Sequence, residues 1–154
     1  MANSRKYNDE LKDNAGRKYS YNFDFDVMHP FMVKSFEPYF NKGNLLELGS
    51  SLGIFTERFL PFFNDITCVE ASNEAVAQAT KKLGDTVKII NSTFETVDLD
   101  SKYDNIVMTH VLEHLDDPVQ VLKRVQDEWL ADDGYFFLVC PNANAPSRQI
   151  AVKM

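Results

Sequence analysis

Short apolar runs alternate with segments of helical spacing from residue 45 onward. The apolar runs predict five β-strands, at residues 45–48, 66–70, 87–90, 104–109 and 135–140. Helices are predicted between them, at residues 54–63, 72–83 and 118–129. Because strands and helices alternate, we expect an α/β fold with a doubly wound, mainly parallel sheet and helices on both faces. The fifth run is apolar throughout, which is typical of a strand buried on both faces.

A glycine-bearing turn follows the first predicted strand, and a lone carboxylate ends the second. Gly49 and Gly53 lie in the turn, and Glu70 comes about twenty residues later, as in nucleoside-binding α/β sheets. A Cβ at either glycine would obstruct a ligand at the carboxyl end of the strand, or forbid the turn itself. Glu70 can accept hydrogen bonds from both hydroxyls of a ribose. The pattern therefore predicts a nucleoside site with Glu70 as the ribose ligand.

Three other kinds of site share part of this outline. The dinucleotide motif G-x-G-x-x-G requires glycine where Ser51 and Ile54 stand, which makes an NAD-dependent oxidoreductase a disfavoured alternative. A phosphate-binding P-loop lacks its Gly-Lys-Ser/Thr. The turn also matches G-x-S-x-G, the nucleophile motif of α/β-hydrolases, with Ser51 as the nucleophile. Since that fold builds several strands before its motif, and this turn follows the first, we disfavour a hydrolase.

Five segments, in order along residues 44–142, resemble the motifs of class I S-adenosylmethionine-dependent methyltransferases of the small-molecule branch. They are E-L-G-S-S-L-G at 47–53, T-C-V-E-A-S at 67–72, N-S-T-F-E at 91–95, and the segments 103–115 and 129–139. In the first motif Ser51 replaces the middle glycine. The resemblance implies a Rossmann-like sheet, S-adenosyl-L-methionine as cofactor, and methyl transfer to the oxygen or nitrogen of a small molecule.

The resemblance also assigns the residues of the site. Those expected to bind the cofactor are Glu47, Gly49, Ser50, Ser51, Gly53, Glu70, Ala71, Thr93, Phe94 and His110. Within this set Thr93 and Phe94 would contact adenine. Glu47 would orient the glycine turn or reach the cofactor's amino group through water; alternatively, backbone amides of the turn hold its carboxylate.

His110, directly after the fourth strand, is the candidate catalytic residue. Histidine suits a general base because its pKa lies near neutrality. The alternative is a histidine that only shapes the pocket. Glu113 and His114 follow closely, and we expect His114 to be structural. Their spacing defines no metal ligand set, so no metal is expected.

The chain divides into three segments by composition and motif. The resemblance implies that residues 1–43, which are rich in aromatic residues, form a helical N-terminal lid, that 44–142 form the S-adenosylmethionine-binding core, and that 143–154 are a C-terminal tail. Tyr19, Tyr21 and His29 are the lid candidates for contact with substrate, because each joins an apolar body to a polar tip.

Length bears on the number of domains, and charge bears on the kinds of partner to expect. The chain has 154 residues, which fits one domain, and a net charge of −7, which disfavours nucleic acid. The N-terminus has no apolar run long enough for a signal peptide or a membrane span. Cys68 and Cys140 are expected to be buried thiols in a reducing compartment. We therefore expect a cytoplasmic protein.

The C-terminal end departs from the resembling family, whose sheet continues beyond strand five with a helix and an antiparallel pair of strands. We expect these final strands to be missing, either because the gene is truncated or because another chain completes a minimal variant. Strand five would then have an unpaired apolar edge, which usually needs covering. A homo-oligomer or a partner chain is the expected cover, and a non-catalytic S-adenosylmethionine-binding module or subunit is the main alternative function.

Overall fold

A computed structural model of the chain describes residues 6–9, 24–142 and 144. Its five strands are β1 (Leu45–Leu48), β2 (Ile66–Glu70), β3 (Lys88–Asn91), β4 (Tyr103–Thr109) and β5 (Leu130–Val139). All pair in parallel, in the order β3-β2-β1-β4-β5. The chain crosses from one side of β1 to the other after β3, which places a crevice at the carboxyl ends of β1 and β4. The predicted doubly wound, Rossmann-like fold is confirmed.

Between residues 24 and 142, three α-helices connect and cover the strands. They are α1 (His29–Phe36), α2 (Asn73–Leu83) and α3 (Pro118–Arg124). Shorter helical turns occupy Asp24–Met28, Glu37–Tyr39, Thr56–Arg58, Gly84–Thr86, Leu112–His114 and Val125–Trp129. The Ser72 hydroxyl caps α2 by accepting from the Ala75 amide at 3.2 Å, and Asp117 caps α3 by accepting from the Gln120 amide at 3.0 Å.

Side chains of the central strands alternate between two apolar layers. One layer lies under α1 and α2 and contains Leu45, Cys68, Val107 and Phe137, with Phe55, Phe59 and Phe63. The other lies under α3 and contains Leu46, Leu48, Val69, Ile106 and Met108, with Val121 and Trp129. Because both faces are covered, β1 is buried along its whole length.

The segment predicted as a helix at 54–63 is a series of turns with one short 3₁₀ helix, Thr56–Arg58. Phe55, Phe59 and Phe63 have helical spacing because each is buried against the sheet. Pro61 has no N–H to donate to a continuing helix. The apolar spacing therefore predicted the burial of these phenylalanines correctly, but the predicted helix at 54–63 was wrong.

Strand β5 is longer and more exposed than predicted. It begins at Leu130, and only Phe137 in it is buried, whereas Tyr135 is 46% and Leu138 37% exposed. Among the described residues β5 pairs with β4 alone, so one edge and part of one face lack cover. The prediction that this strand is buried on both faces was therefore wrong. Cys140, just beyond β5, is exposed, contrary to prediction, while Cys68 is buried as expected.

Within the described ranges, no helix is both long enough and apolar enough to cross a membrane.

Candidate functional site

A cavity of about 280 Å³ opens at the carboxyl ends of the central strands, close to the lower end of the range for ligand pockets. Seven predicted site residues line it: Gly49, Ser51, Glu70, Ala71, Thr93, Phe94 and His110. It is also lined by Tyr7, Ser72, Glu95, Thr109, Val111, His114 and Leu115. Residues from five separate segments of the chain therefore meet at one site.

Glu70 is held by backbone amides at the end of β2. Its Oε2 accepts from the Ser51 amide at 2.9 Å, and its Oε1 accepts from the Ser72 amide at 2.8 Å. A carboxylate has about four lone-pair sites, so each oxygen retains acceptor capacity towards the cavity. The carboxylate is therefore fixed in position yet able to accept two further hydrogen bonds, as the hydroxyls of a ribose would require.

The glycine turn has the left-handed backbone that its sequence predicts. Gly49 has φ 85°, and a Cβ there would lie 2.4 Å from Cγ2 of Val111. Ser51 has φ 47°, in the region that favours glycine. The serine at the middle glycine position therefore keeps a glycine-like backbone, and this conformation brings its amide to Glu70.

Gly53 serves packing rather than the wall of the cavity. Its φ is 73°, and a Cβ there would lie 2.8 Å from Leu83 Cδ1 and 3.3 Å from Ala79 Cβ. The glycine thus lets α2 approach the turn closely, as the third glycine of the dinucleotide motif does. Neither Gly53 nor the buried Ser50 lines the cavity.

Glu47 lies beneath the turn, also outside the cavity lining. It is 2% exposed, and its Oε2 accepts from the Thr56 hydroxyl at 2.6 Å and from the Cys68 thiol at 3.6 Å. Its pairing register with Cys68 on β2 places the two side chains on the same face. Side chains rather than turn amides therefore contact this carboxylate. Burial raises its pKa to about 7, with a smaller increase from the charge of Glu70, against the opposing effect of the two hydrogen bonds.

Burial likewise raises the pKa of the Cys68 thiol well above its usual value, and the neighbouring Glu47 adds to the increase. The thiol is therefore protonated and donates to the Glu47 carboxyl.

His110 lies where β4 ends, and its backbone is left-handed as well, with φ 55°. Its amide donates to the Val139 carbonyl at 2.8 Å, which ties the residue to the end of β5. The His110 Nδ1 lies 3.7 Å from Glu113 Oε1, and the two side chains are 48% and 28% exposed. His114 also lines the cavity. Two imidazoles and a carboxylate thus face solvent beside the nucleoside site.

The lid candidates have different outcomes. Tyr19 and Tyr21 lie outside the described residues. His29 does not line the cavity, because its ring packs on Phe55 with the centroids 4.4 Å apart.

Sequence reasoning missed several lining residues. Thr109 and Val111 flank His110 directly, so their proximity could have been inferred. Ser72 ends the second motif and was not among the predicted site residues, although it lies only two residues after Glu70. Tyr7 gave no signal at all, since nothing near it in the chain resembles a motif.

In the described part of the chain, no group of three or more His, Cys, Asp or Glu side chains is arranged to hold a metal ion. The absence of a metal stays a prediction.

The parallel sheet, its glycine turn and the amide-bound carboxylate define a nucleoside-binding domain of the Rossmann-like class. Residues 17–153 match the family described as the methyltransferase domain, and the chain belongs to that family.

Nodulation protein S of Azorhizobium caulinodans is 29% identical over 102 residues, which are 64% of this chain and 49% of that protein. The chain thus spans about half the length of this curated relative.

Many solved structures share the fold, among them two methyltransferases. One is the N-methyltransferase NodS of Bradyrhizobium japonicum in complex with S-adenosyl-L-homocysteine, with a TM-score of 0.72 and 19% identity over 87% of this chain and 72% of that one. The other is an S-adenosylmethionine-dependent methyltransferase of Clostridium acetobutylicum, with a TM-score of 0.68 and 16% identity over 84% of this chain and 56% of that one.

Proposed function

We propose that this domain binds S-adenosyl-L-methionine and transfers its methyl group to the oxygen or nitrogen of a small molecule. The observation that carries the proposal is Glu70, fixed by the Ser51 and Ser72 amides at the mouth of a cavity in a chain of the methyltransferase family. The solved relatives that contain the cofactor product or use the cofactor support the same assignment.

The residues of the cavity fit the parts of this cofactor. Glu70 would hold the ribose hydroxyls, and Ala71 and the buried Phe94 supply an apolar surface for the adenine. Thr93 adds a hydroxyl beside it. Gly49 leaves the backbone open at the turn, where a side chain would meet Val111. When bound, the cofactor supplies an activated methyl on a sulfonium, so the protein mainly has to align the acceptor and exclude water.

His110 is proposed as the general base for an acceptor that must lose a proton. Its imidazole lies in the cavity wall on the β4 side, and Glu113 is within 3.7 Å of Nδ1. A carboxylate at that distance would favour an imidazole oriented with its other nitrogen towards the cavity. Glu113 is thus a positioning residue in this scheme.

A non-catalytic binding module remains the second candidate, because one observation favours it. The His110 side chain is 48% exposed, and the neighbouring β5 has an unpaired edge among the described residues. A site so open would not exclude water unless another segment or chain covered it. Binding of S-adenosylhomocysteine without turnover on a panel of amine and hydroxyl acceptors would favour this second function.

The first test is calorimetric titration with S-adenosylhomocysteine. Glu70→Ala should weaken binding about tenfold or more, since each hydrogen bond to a charged group contributes roughly 1.5 to 3 kcal/mol. Glu37→Ala, an exposed carboxylate outside the cavity, is the control and should bind like the parent chain. Absence of binding by the parent chain would overturn the cofactor assignment. Unchanged affinity in Glu70→Ala would overturn the role of Glu70 alone.

We also propose that a second copy or a partner chain covers the edge of β5. The exposed Tyr135 and Leu138 beside that edge support this, because unpaired apolar strands are prone to association. Sedimentation velocity over a wide concentration range should detect an oligomer that Leu138→Lys weakens. A monomer at every concentration would contradict self-association.

A cytoplasmic location is proposed as well. It rests on Cys68 and Cys140, which are both free thiols, as is usual in reducing compartments. Recovery of a tagged chain from a secreted or periplasmic fraction would contradict it.

A further inference from the structure

The segment 6–9 lies against the cavity, far in sequence from the rest of the site. Residues 7–9 are helical, and Tyr7 forms part of the cavity wall. The Asn8 side chain joins the segment to the start of α2: its Oδ1 accepts from the Ser72 hydroxyl at 2.8 Å and from the Glu74 amide at 3.4 Å. Both residues precede the family match at 17–153, so the matched family region does not include them.

Asn8 is connected to Glu70 through a single residue. Ser72 donates its hydroxyl to Asn8, accepts with the same oxygen from the Ala75 amide, and donates its own amide to Glu70. Ser72 is only 3% exposed, so water competes little for these bonds. The position of segment 6–9 is therefore set by the same residue that helps to fix Glu70.

The cavity has a nucleoside half, which contains Glu70, and a half next to β4, which contains His110. The connection through Ser72 indicates which of these halves Tyr7 covers. Asn8 is bonded to Ser72, two residues after Glu70, whereas His110 directly follows β4, on the other side of β1. Tyr7 thus lies on the side of Glu70. A tyrosine offers a flat apolar ring with a polar tip, which suits contact with a nucleoside.

We infer that Tyr7 and Asn8 form a clasp over the nucleoside half of the cavity, in which Tyr7 contacts the bound cofactor and Asn8 is the latch that holds Tyr7 in place. The inference rests on the proposed function and adds two binding determinants to the same site. It assigns part of the covering role predicted for residues 1–43 to Tyr7, which is not one of the lid candidates Tyr19, Tyr21 and His29.

Two substitutions test the contact made by Tyr7 and the latch made by Asn8 separately. Tyr7→Ala removes the ring, and Asn8→Ala removes the acceptor that holds it. Each should weaken S-adenosylhomocysteine binding about fivefold, as expected for loss of one contact or hydrogen bond of ordinary strength. Asn8→Asp keeps an oxygen facing Ser72 and Glu74 at the positive end of α2, so it should bind like the parent chain. Lys6→Ala, an exposed neighbour in the same segment, is the matched control.

The measurement is calorimetric affinity together with the dissociation rate of S-adenosylhomocysteine by stopped flow. The clasp is supported if Tyr7→Ala and Asn8→Ala dissociate faster while Asn8→Asp and Lys6→Ala do not, with ligand-free melting temperatures unchanged. Affinities and rates equal to those of the parent chain in both alanine variants would overturn the clasp and leave the cofactor site intact. If the parent chain itself does not bind S-adenosylhomocysteine, the proposed function fails first, and the clasp fails with it.

Discussion

The two halves of the cavity differ in how firmly their polar side chains are held. In the nucleoside half, Glu70 accepts from two amides at 2.8 and 2.9 Å, and the buried Ser72 ties it to α2. In the half next to β4, His110 is 48% exposed and its nearest carboxylate oxygen, on Glu113, is 3.7 Å away. The half proposed to hold the cofactor is preorganised by these hydrogen bonds, whereas the half proposed to react is open to solvent.

The two halves nevertheless share a backbone feature. Ser51 in the first and His110 in the second both have left-handed φ values, 47° and 55°. For residues other than glycine this conformation costs about 1–2 kcal/mol. At Ser51 the cost positions an amide, so we expect the side chain to be dispensable. At His110 it positions the side chain itself, which is the group proposed to react.

The largest expected effect is at His110. His110→Gly should lower turnover about 100-fold or more, because a general base contributes that much, while S-adenosylhomocysteine affinity changes little. His110→Ala is the matched variant: it should lose turnover equally but be about 1 kcal/mol less stable than the glycine variant, since alanine keeps the left-handed strain. Steady-state kinetics and urea unfolding measure the two effects. Turnover like that of the parent chain would leave His110 as a residue that only shapes the pocket.

The second effect concerns Glu47, which lies beneath the nucleoside half and has a pKa of about 7 in the folded chain. Once the chain is unfolded, this carboxyl would titrate near its ordinary pKa of 4.5, so the folded state binds the proton more tightly. The free energy of unfolding should therefore fall as pH rises between these two values, by about 2 kcal/mol from pH 5.5 to 8.

Glu47→Gln should flatten this pH dependence, because the amide imitates the protonated acid towards Thr56 and does not ionise. Urea unfolding at the two pH values makes the measurement, with Glu37→Gln as an exposed control. An equal fall in both the parent chain and Glu47→Gln would mean that another group titrates. A flattened profile would assign this pH dependence of the free energy of unfolding to Glu47, which lies beneath the nucleoside half.

The nucleoside half was largely predictable because its signals are local. An apolar run, a glycine turn and a lone Glu70 at the end of the next strand specify one edge of a parallel sheet. The sequence also predicted that His110 follows β4. These elements depend on short stretches whose neighbours in space are fixed by the parallel order of strands.

The parts that could not be predicted depend on contacts between distant segments. Tyr7 reaches the cavity through Asn8 and Ser72, 64 residues apart. Gly53 is needed for the approach of Leu83, which no spacing in the turn reveals. The exposure of β5 follows from its place at the edge of the sheet, and an apolar run alone does not distinguish an edge from a centre.

The smallest effect, at Ser51, tests the shared backbone feature directly. Ser51→Gly should stabilise the fold by up to about 1 kcal/mol, because release of left-handed strain outweighs the added freedom of the unfolded chain. S-adenosylhomocysteine affinity should stay the same, since the amide that donates to Glu70 is retained. Ser51→Ala keeps the strain and loses the hydroxyl, so it should match the parent chain in both unfolding and calorimetric measurements. If both variants bound the ligand several-fold more weakly, the Ser51 hydroxyl would be a ligand-binding group, and the contrast with His110, where only the side chain matters, would not hold.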